Sequence, residues 1–317
     1  MKKLMIIGGS GFIGHHLIRR RAAEGGWKIV SVDIRTPREH VPGVEYITHD
    51  VRDLSSFDQH GDTDIIYNFA AVHTTPGHPY WEYYDTNVRG ATEVVRFARK
   101  NAIKSIVFTS SISVYGPSEA QKDEYSAPEP NSAYGWSKLL SEGVFRSWHE
   151  ATEGAKLLIV RPAVVFGEGE GGNFTRLAKI LARGVFVYPG RKDTVKACIY
   201  VKDLLWYIDQ MWARDESFSI FNGCYAERYE LQQVVTAFKK YFPNAKEFTV
   251  PAFAMIAAAR GLMVVPNGVG IHPERILKLI NSTNIYPRVL KDLRLAKTDP
   301  LAEALKDWRD ETHGTFA

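Results

Sequence analysis

The stretch KKLMIIGGSGFIGHHLIRRRAA, at residues 2–23, constrains the fold more than any other part of the chain. A short apolar run, LMIIG at 4–8, stops at glycines, and the residues after Gly14 carry a helical pattern. Gly8, Gly11 and Gly14 follow one another at three-residue spacing. Glycines at such a junction let the backbone turn tightly and approach a pyrophosphate, while the helix start offers unpaired N–H groups and a partial positive charge. Strand, glycine turn and helix in that order begin an α/β unit. The two lysines and brief apolar run of MKKLMIIGG superficially suggest a secretory signal, but the run is too short and has no cleavage-site pattern, so it reads as a buried first strand.

The rest of the chain continues the alternation. Strand-like runs recur at 4–8, 28–33, 44–48, 64–70, 105–110 and 156–161, and helical patterns fill the gaps, notably at 80–101 and 134–152. Their near-continuous Val/Ile content belongs to strands covered on both faces, which predicts a doubly wound parallel sheet wrapped by helices. After Arg161 the rhythm changes. Gly and Pro clusters (GEGEGGN, YPGRKD) surround a further strand at 198–201, and helical patterns dominate from 230 onward. The expected organisation is a sheet domain over 1–165, rejoined by 196–225, with a smaller, mostly helical lobe made of 166–195 and 226–317.

Composition excludes several classes. A net charge of +4 without Lys/Arg runs gives no electrostatic footprint for nucleic acid. Cys198 and Cys224 form no metal-spaced pair, and so few cysteines fit a reducing cytoplasm and no metal centre. No 18-residue apolar run exists; the oiliest segment, 250–266, is interrupted by Arg260 and Gly261 and reads as a buried helix, with a membrane-surface helix as the alternative.

Two further features suggest chemistry. Asp33 ends the second strand, 19 residues after Gly14, where a carboxylate would accept hydrogen bonds from an adenosine ribose and repel a 2′-phosphate, favouring NAD over NADP. Arg35 and Arg38 stand nearby, and either could meet a phosphate. Tyr134 and Lys138 in SAYGWSK share one helix face, and an ammonium beside a phenol, together with a cationic nicotinamide ring, would lower the phenol's pKa from about 10 toward a usable base.

These residues carry a resemblance. Through GGSGFIG, HDVRDL (49–54), NFAA (68–71), TNVRGA (86–91), SSISVYG (110–116), YGWSK (134–138) and IVRPAVVFG (159–167), roughly residues 3–215 resemble the extended short-chain dehydrogenases/reductases, the family of nucleotide-sugar epimerases and dehydratases. The resemblance implies a Rossmann-type sheet domain, bound NAD and a homodimer paired through the helices at 80–101 and 134–152, with Val94, Phe97, Val144 and Trp148 as surplus apolar residues. It places Gly8, Gly11, Phe12, Ile13, Gly14, Asp33 and Arg35 around the cofactor. Asp50 and Val51 would meet adenine, Ala70, Ala71 and Pro162 would line the cofactor, Asn87 would support the site, and Lys138 would hold the nicotinamide ribose. Ser111, four residues before the Tyr of VYG, would bind the reacting sugar oxygen beside Tyr134, leaving Ser110 and Thr109 to satisfy backbone. His73 could reach cofactor or substrate.

Substrate residues are less determined. Where dehydratases of the family carry acids, this chain has Ile112 and Ser113, which cannot serve as general acid or base. Oxidation and reduction at a sugar C4 therefore remain, as a complete epimerase cycle or as the one-way alternative of a 4-ketosugar reductase or sterol-type dehydrogenase. Val164 replaces a family Asn that contacts the sugar diphosphate, and Lys196 replaces an Arg, offering a point charge rather than a bidentate fork. Asn173 could begin a helix that offers N–H groups to a phosphate, or be a simple cap. Ser113, Asn173 and Lys196 are the expected substrate contacts besides Ser111. The likeness is strongest to the bacterial branch that epimerises N-acetylhexosamine on a polyprenyl diphosphate for surface-polysaccharide (O-antigen type) assembly. It implies a cytoplasmic enzyme at the inner face of the membrane, with 250–266 bordering lipid.

Overall fold

A computed structural model describes residues 1–74, 77–263 and 273–317. The end of the 250–266 stretch, together with the side chains of Arg260 and Arg275, lies outside the described residues. The chain divides into two compact units: 1–116, 126–162 and 201–223 form the first, and 117–125, 163–200 and 224–317 the second.

The first unit holds a seven-stranded parallel sheet. In chain order its strands are β1 (Lys2–Ile7), β2 (Trp27–Asp33), β3 (Val44–Thr48), β4 (Ile65–Asn68), β5 (Ser105–Thr109), β6 (Lys156–Pro162) and β7 (Phe218–Gly223). Their spatial order is β7-β6-β5-β4-β1-β2-β3. Five of the six residues of β1 and all four of β4 are buried, as strands covered on both faces must be. The six strands expected from sequence are present within a few residues at each end. β7 is additional: FSIFNG is short, half-buried over its first three residues and follows a polar turn.

Helices α1 (Phe12–Glu24), α2 (Gly90–Lys100), α3 (Ala133–Glu150) and α4 (Val201–Trp212) belong to this unit. α3 starts where Ser132 accepts a hydrogen bond from the Gly135 N–H at 3.1 Å, a side-chain cap. The helical run expected at 80–101 is not uniform. A π-helical stretch, Tyr84–Arg89, separates a first turn at Tyr80–Tyr83 from α2. Val94, Phe97 and Trp148, expected as surplus dimer residues, are buried in the core of this same chain against Met5, Ile66 and Phe108, and Val144 packs on that core. The apolar side chains left exposed on these helices are Tyr80, Trp81, Tyr84, Trp136 and Leu140.

The second unit combines helices with three two-stranded pairings: 198–200 with 164–166, 246–250 with 185–189, and 283–285 with 118–122. The last pairing explains why 117–125 counts with this unit. Among the described residues no helix is long and apolar enough to cross a membrane.

Candidate active site

The sheet order reverses between β1 and β4, and in open α/β sheets a ligand crevice lies at such a switch, beyond the carboxyl ends of the strands. The glycine loop occupies that position. Gly8 has φ +83°, and a Cβ on it would lie 2.6 Å from the Ala70 backbone nitrogen. A Cβ on Gly14 would lie 2.4 Å from the Gly8 carbonyl oxygen. Side chains would therefore fill the cradle. α1 begins at Gly11 with no side-chain cap and no acidic residue in its first turn, which leaves its N–H groups to an anion. Gly9, which the three-residue spacing passes over, matters equally, because a Cβ there would strike the Ser31 hydroxyl at 2.2 Å. Asp33 is buried and accepts from the backbone N–H groups of Ser10 (3.1 Å) and Arg35 (3.0 Å), so its carboxylate is fixed at the end of β2. The Arg35 guanidinium stands 3.8 Å from it and is largely exposed.

Ser111, Tyr134 and Lys138 converge in the same unit. Ser111 lies in extended backbone after β5, its hydroxyl bonded to the Ser113 hydroxyl and accepting from the Ser113 N–H, both at 3.1 Å. It also makes a side-chain hydrogen bond to Tyr134. Tyr134 keeps part of its surface open, but burial around its hydroxyl pushes the pKa up to about 12, and the Ser111 bond opposes that rise. The expected depression by Lys138 is not found. Desolvation disfavours the phenolate, and it likewise pushes Lys138 down to about 7, with the Glu142 carboxylate opposing. The Lys138 ammonium donates to the Thr109 carbonyl at 2.8 Å and faces the Phe108 ring at 4.9 Å. Tyr83 stacks obliquely on Tyr134, ring centroids 6.3 Å apart.

Asn87 sits in the π-helical stretch, a common device for turning a side chain inward at a functional site. Its amide accepts from the Val72 N–H (2.9 Å) and donates to the Val72 carbonyl (3.0 Å) and the Ser137 hydroxyl (2.8 Å). It thereby ties the loop after β4 to the first turns of α3. Thr109 donates to the Asn68 carbonyl at 3.1 Å, as expected of a backbone-satisfying hydroxyl. Ser110 differs from expectation: it donates to the Glu142 carboxylate at 2.6 Å. That carboxylate also receives Arg161 through Nε (2.8 Å) and Nη2 (2.7 Å), and Arg161 Nη1 donates to the Tyr115 hydroxyl at 2.6 Å, which donates to Asn222 at 3.0 Å. All five side chains are buried. Glu142 escaped the sequence reading, although it follows Lys138 by one helical turn in YGWSKLLSE.

The remaining expected positions are distributed as follows. Asp50 caps the short 3₁₀ turn Val51–Ser56 and is gripped by Arg52, which also bonds Asp85 at 2.8 Å; these bonds hold the Asp50 carboxyl below its usual range. Val51 and Pro162 are buried, while Phe12, Ile13, Ala70 and Ala71 are partly open, Phe12 packing edge-on to His16. His73 keeps an exposed edge, yet desolvation lowers its pKa, with Lys138 and Arg35 adding positive charge. Asn173 and Lys196 belong to the second unit. Asn173 is the first residue of the helix Asn173–Ala182, whose cap is Gly172, and Glu170 accepts from the Thr175 N–H and hydroxyl there (3.0 and 2.8 Å). Lys196 donates to the carbonyls of Lys278 (2.5 Å) and Asn281 (2.7 Å). Val164 lies in the short strand Val164–Phe166.

Comparison with known proteins agrees with this geometry. Residues 4–222 match the NAD dependent epimerase/dehydratase family, and the chain belongs to it. It is 35% identical over 207 residues, 65% of this chain and 61% of the relative, to the N-acetyl-α-D-glucosaminyl-diphospho-ditrans,octacis-undecaprenol 4-epimerase of Escherichia coli O157:H7. A UDP-glucose 4-epimerase of Streptococcus mutans is 29% identical over 54% of each chain. The chain thus spans about three fifths or less of these relatives' lengths. Among solved structures, UDP-glucose 4-epimerase from Thermotoga maritima superposes with TM-score 0.78 at 19% identity, over 99% of this chain and all of that one. UDP-N-acetylglucosamine 4-epimerase from Bacillus cereus gives 0.75 at 18%, over 99% and 97%. The family's cofactor is NAD, and the residues present fit it: a side-chain-free cradle, an uncapped helix start and a fixed carboxylate at the end of the second strand.

Proposed function

We propose that the protein is an NAD-dependent C4 epimerase of an N-acetylhexosamine carried on a diphosphate, with either a nucleotide or a polyprenyl group beyond it. The observation that carries the reading is the convergence of Ser111 at the end of the fifth strand with Tyr134 and Lys138 one turn apart on the same helix, in the unit that holds the glycine cradle. The 35% identity to a polyprenyl-linked 4-epimerase supports the choice of sugar and carrier.

Each residue has a distinct task. Ser111 hydrogen-bonds the C4 oxygen and orients it toward Tyr134. Tyr134, as the phenolate, takes the proton of the C4 hydroxyl and later returns it to that oxygen. A phenol at about 12 remains protonated near neutrality, so the transfer needs positive charge that Lys138, held on the Thr109 carbonyl, does not supply in the cofactor-free protein. NAD, when bound, supplies the hydride acceptor and donor together with a cationic ring that favours the phenolate. Gly8, Gly11 and Gly14 admit its pyrophosphate, Asp33 the adenosine ribose, and Asn87 holds Ser137 and thus the first turns of α3 in place. Ile112 and Ser113 offer no acid that could expel water, so the ring keeps its hydroxyls. The exposed Tyr80, Trp81, Tyr84, Trp136 and Leu140 form the face on which a second copy would pair, which equilibrium sedimentation tests directly.

The test of function uses protein purified without added cofactor. The expected results are releasable NAD, interconversion of a UDP- or undecaprenyl-diphospho-N-acetylhexosamine pair with no net NADH, and a loss of about 10²–10⁴ in kcat for Tyr134→Phe. Turnover that consumes added NADH or NADPH stoichiometrically would replace this reading with the one-way reductase.

A further inference from the structure

The 3₁₀ turn Val51–Ser56 stands just past the end of β3, where the His49 N–H donates to the Asp33 carbonyl at 3.1 Å, so it borders the crevice on the Asp33 side. Val72 and Ser111 follow β4 and β5, which lie on the other side of β1 and its glycine loop in the sheet order. A line of side chains joins the two sides within the first unit. Asp50 accepts from Arg52 through the backbone N–H (2.8 Å), Nε (3.0 Å) and Nη2 (2.7 Å), and the remaining nitrogen, Nη1, donates to Asp85 at 2.8 Å. Arg52 holds the Asp85 carboxyl below its usual range, so the contact stays charged near neutrality. Asp85 belongs to the π-helical stretch Tyr84–Arg89, two residues before Asn87. Beyond Asn87 the line continues through the Ser137 hydroxyl, which receives the Asn87 amide at 2.8 Å and donates to the Tyr134 carbonyl at 2.9 Å.

A π-helical turn is an uncommon backbone geometry and persists where its surroundings over-determine it. Here it is held from two sides. Asn87 reaches the loop after β4 and α3, and Ser141 donates back to the Asn87 carbonyl at 3.0 Å, while Asp85 reaches the 51–56 turn. That turn has further anchors on the regular helix α2. A Cβ on Gly90 would lie 3.0 Å from the Val51 side chain, and the Ser55 N–H donates to the buried Glu93 carboxylate at 3.1 Å. The turn therefore stays docked when the Asp85 contact is cut, and what that contact adds is the register of the π-helical stretch. We infer that Arg52 and Asp85 are positioning residues: their pair fixes the π-helical stretch against the Asp33 side of the crevice, and so sets Asn87, Ser137 and the Tyr134 end of α3 for catalysis. The catalytic part of this inference rests on the proposed function.

The test compares Arg52→Gln, Asp85→Asn and the double variant with the parent, each as whole purified protein loaded with NAD. Hydrogen exchange at the Val72 amide, which donates to Asn87, should quicken at least fivefold in either single variant. The kcat for a UDP-N-acetylhexosamine should fall about tenfold, as a small misplacement of the catalytic helix requires, with KM within about twofold. The double variant should match the slower single, because one tie can be cut only once. Arg52→Lys keeps the charge without the fork and should fall between Arg52→Gln and the parent. The paired side chains are 37% and 26% exposed, so the unfolding midpoint should stay near the parent's. Additive losses in the double variant overturn the inference, as does a lowered midpoint with unchanged exchange and kcat. Weaker NAD binding with unchanged Val72 exchange also overturns it, by making Arg52 a direct cofactor contact. A parent that does not epimerise would refute the proposed function, while exchange at Val72 in the same proteins still decides the tie; turnover with unchanged exchange does the reverse.

Discussion

Replacing Glu142 tests whether the buried network beneath Ser110 and Lys138 holds this end of the sheet together. Glu142 accepts three hydrogen bonds, two from the Arg161 guanidinium and one from Ser110, and both charged residues are almost wholly inaccessible to water. Glu142→Leu strands a guanidinium in the interior, which costs about 3–5 kcal/mol. Arg161→Met strands the carboxylate and costs a similar amount. The double variant removes both charges, leaving only the Ser110 and Tyr115 hydroxyls short of partners, at about 1 kcal/mol each. The cycle should therefore close with the double variant about 1–2 kcal/mol below the parent, far less than the sum of the singles. Urea unfolding followed by circular dichroism measures all four corners. Additive losses would refute the claim that the pair acts as a unit. Glu142→Gln carries a second readout, because loss of the negative charge lowers the Lys138 pKa further and shifts the fall in activity to lower pH.

Three other outcomes follow from the same geometry. Gly14→Ala places a methyl 2.4 Å from the Gly8 carbonyl and should lower NAD affinity at least tenfold in a calorimetric titration, with stability falling by about 1–3 kcal/mol. Lys138 titrates near 7 in the folded protein and near 10.5 unfolded, so between those values the unfolded chain binds the extra proton and stability rises with pH; Lys138→Met should flatten that rise in unfolding curves measured across the window. Asp33→Ser removes the carboxylate fixed by the Ser10 and Arg35 N–H groups and should narrow the preference for NAD over NADP by at least tenfold, read from the two dissociation constants.

What was legible in the sequence depends on how local each demand is. The glycine loop is readable because its requirement, backbone without Cβ at a strand-to-helix turn, is met within seven residues, and the Asp33 and Tyr134–Lys138 placements follow from strand ends and helix spacing. Trp148, Val94 and Phe97 were misjudged because spacing identifies an apolar residue but not which of two helix faces the sheet will cover; the sheet took all three. Ser110 was misjudged because its partner, Glu142, is 32 residues away and its neighbour Arg161 another 19. The rise of the Tyr134 pKa in the cofactor-free protein has a related reason, since adjacency to Lys138 is visible in sequence while desolvation of the phenol is a property of the folded interior. The π-helical stretch around Asn87 leaves no sequence mark beyond TNVRG itself.

Lys196 separates two uses of one charge. Its ammonium donates to the Lys278 and Asn281 carbonyls at the end of the helix Pro273–Ile280, the arrangement by which a cation satisfies the unpaired carbonyls of a helix terminus. Burial lowers its pKa to about 8, so those two acceptors hold a cation that is already costly to keep charged. A cation held this way is worth about 1–2 kcal/mol to the helix and is not free to grip a phosphate without giving up the cap. If its role is the cap, Lys196→Ala lowers the unfolding free energy by that amount and leaves KM for the sugar diphosphate within about twofold, whereas Lys196→Arg preserves both. If its role is the substrate, KM rises by about tenfold or more, as removing a phosphate-paired cation requires, while the unfolding midpoint stays with the parent. Measuring stability and KM on the same two variants decides between them. A rise in KM without loss of stability would refute the assignment of Lys196 to the helix end.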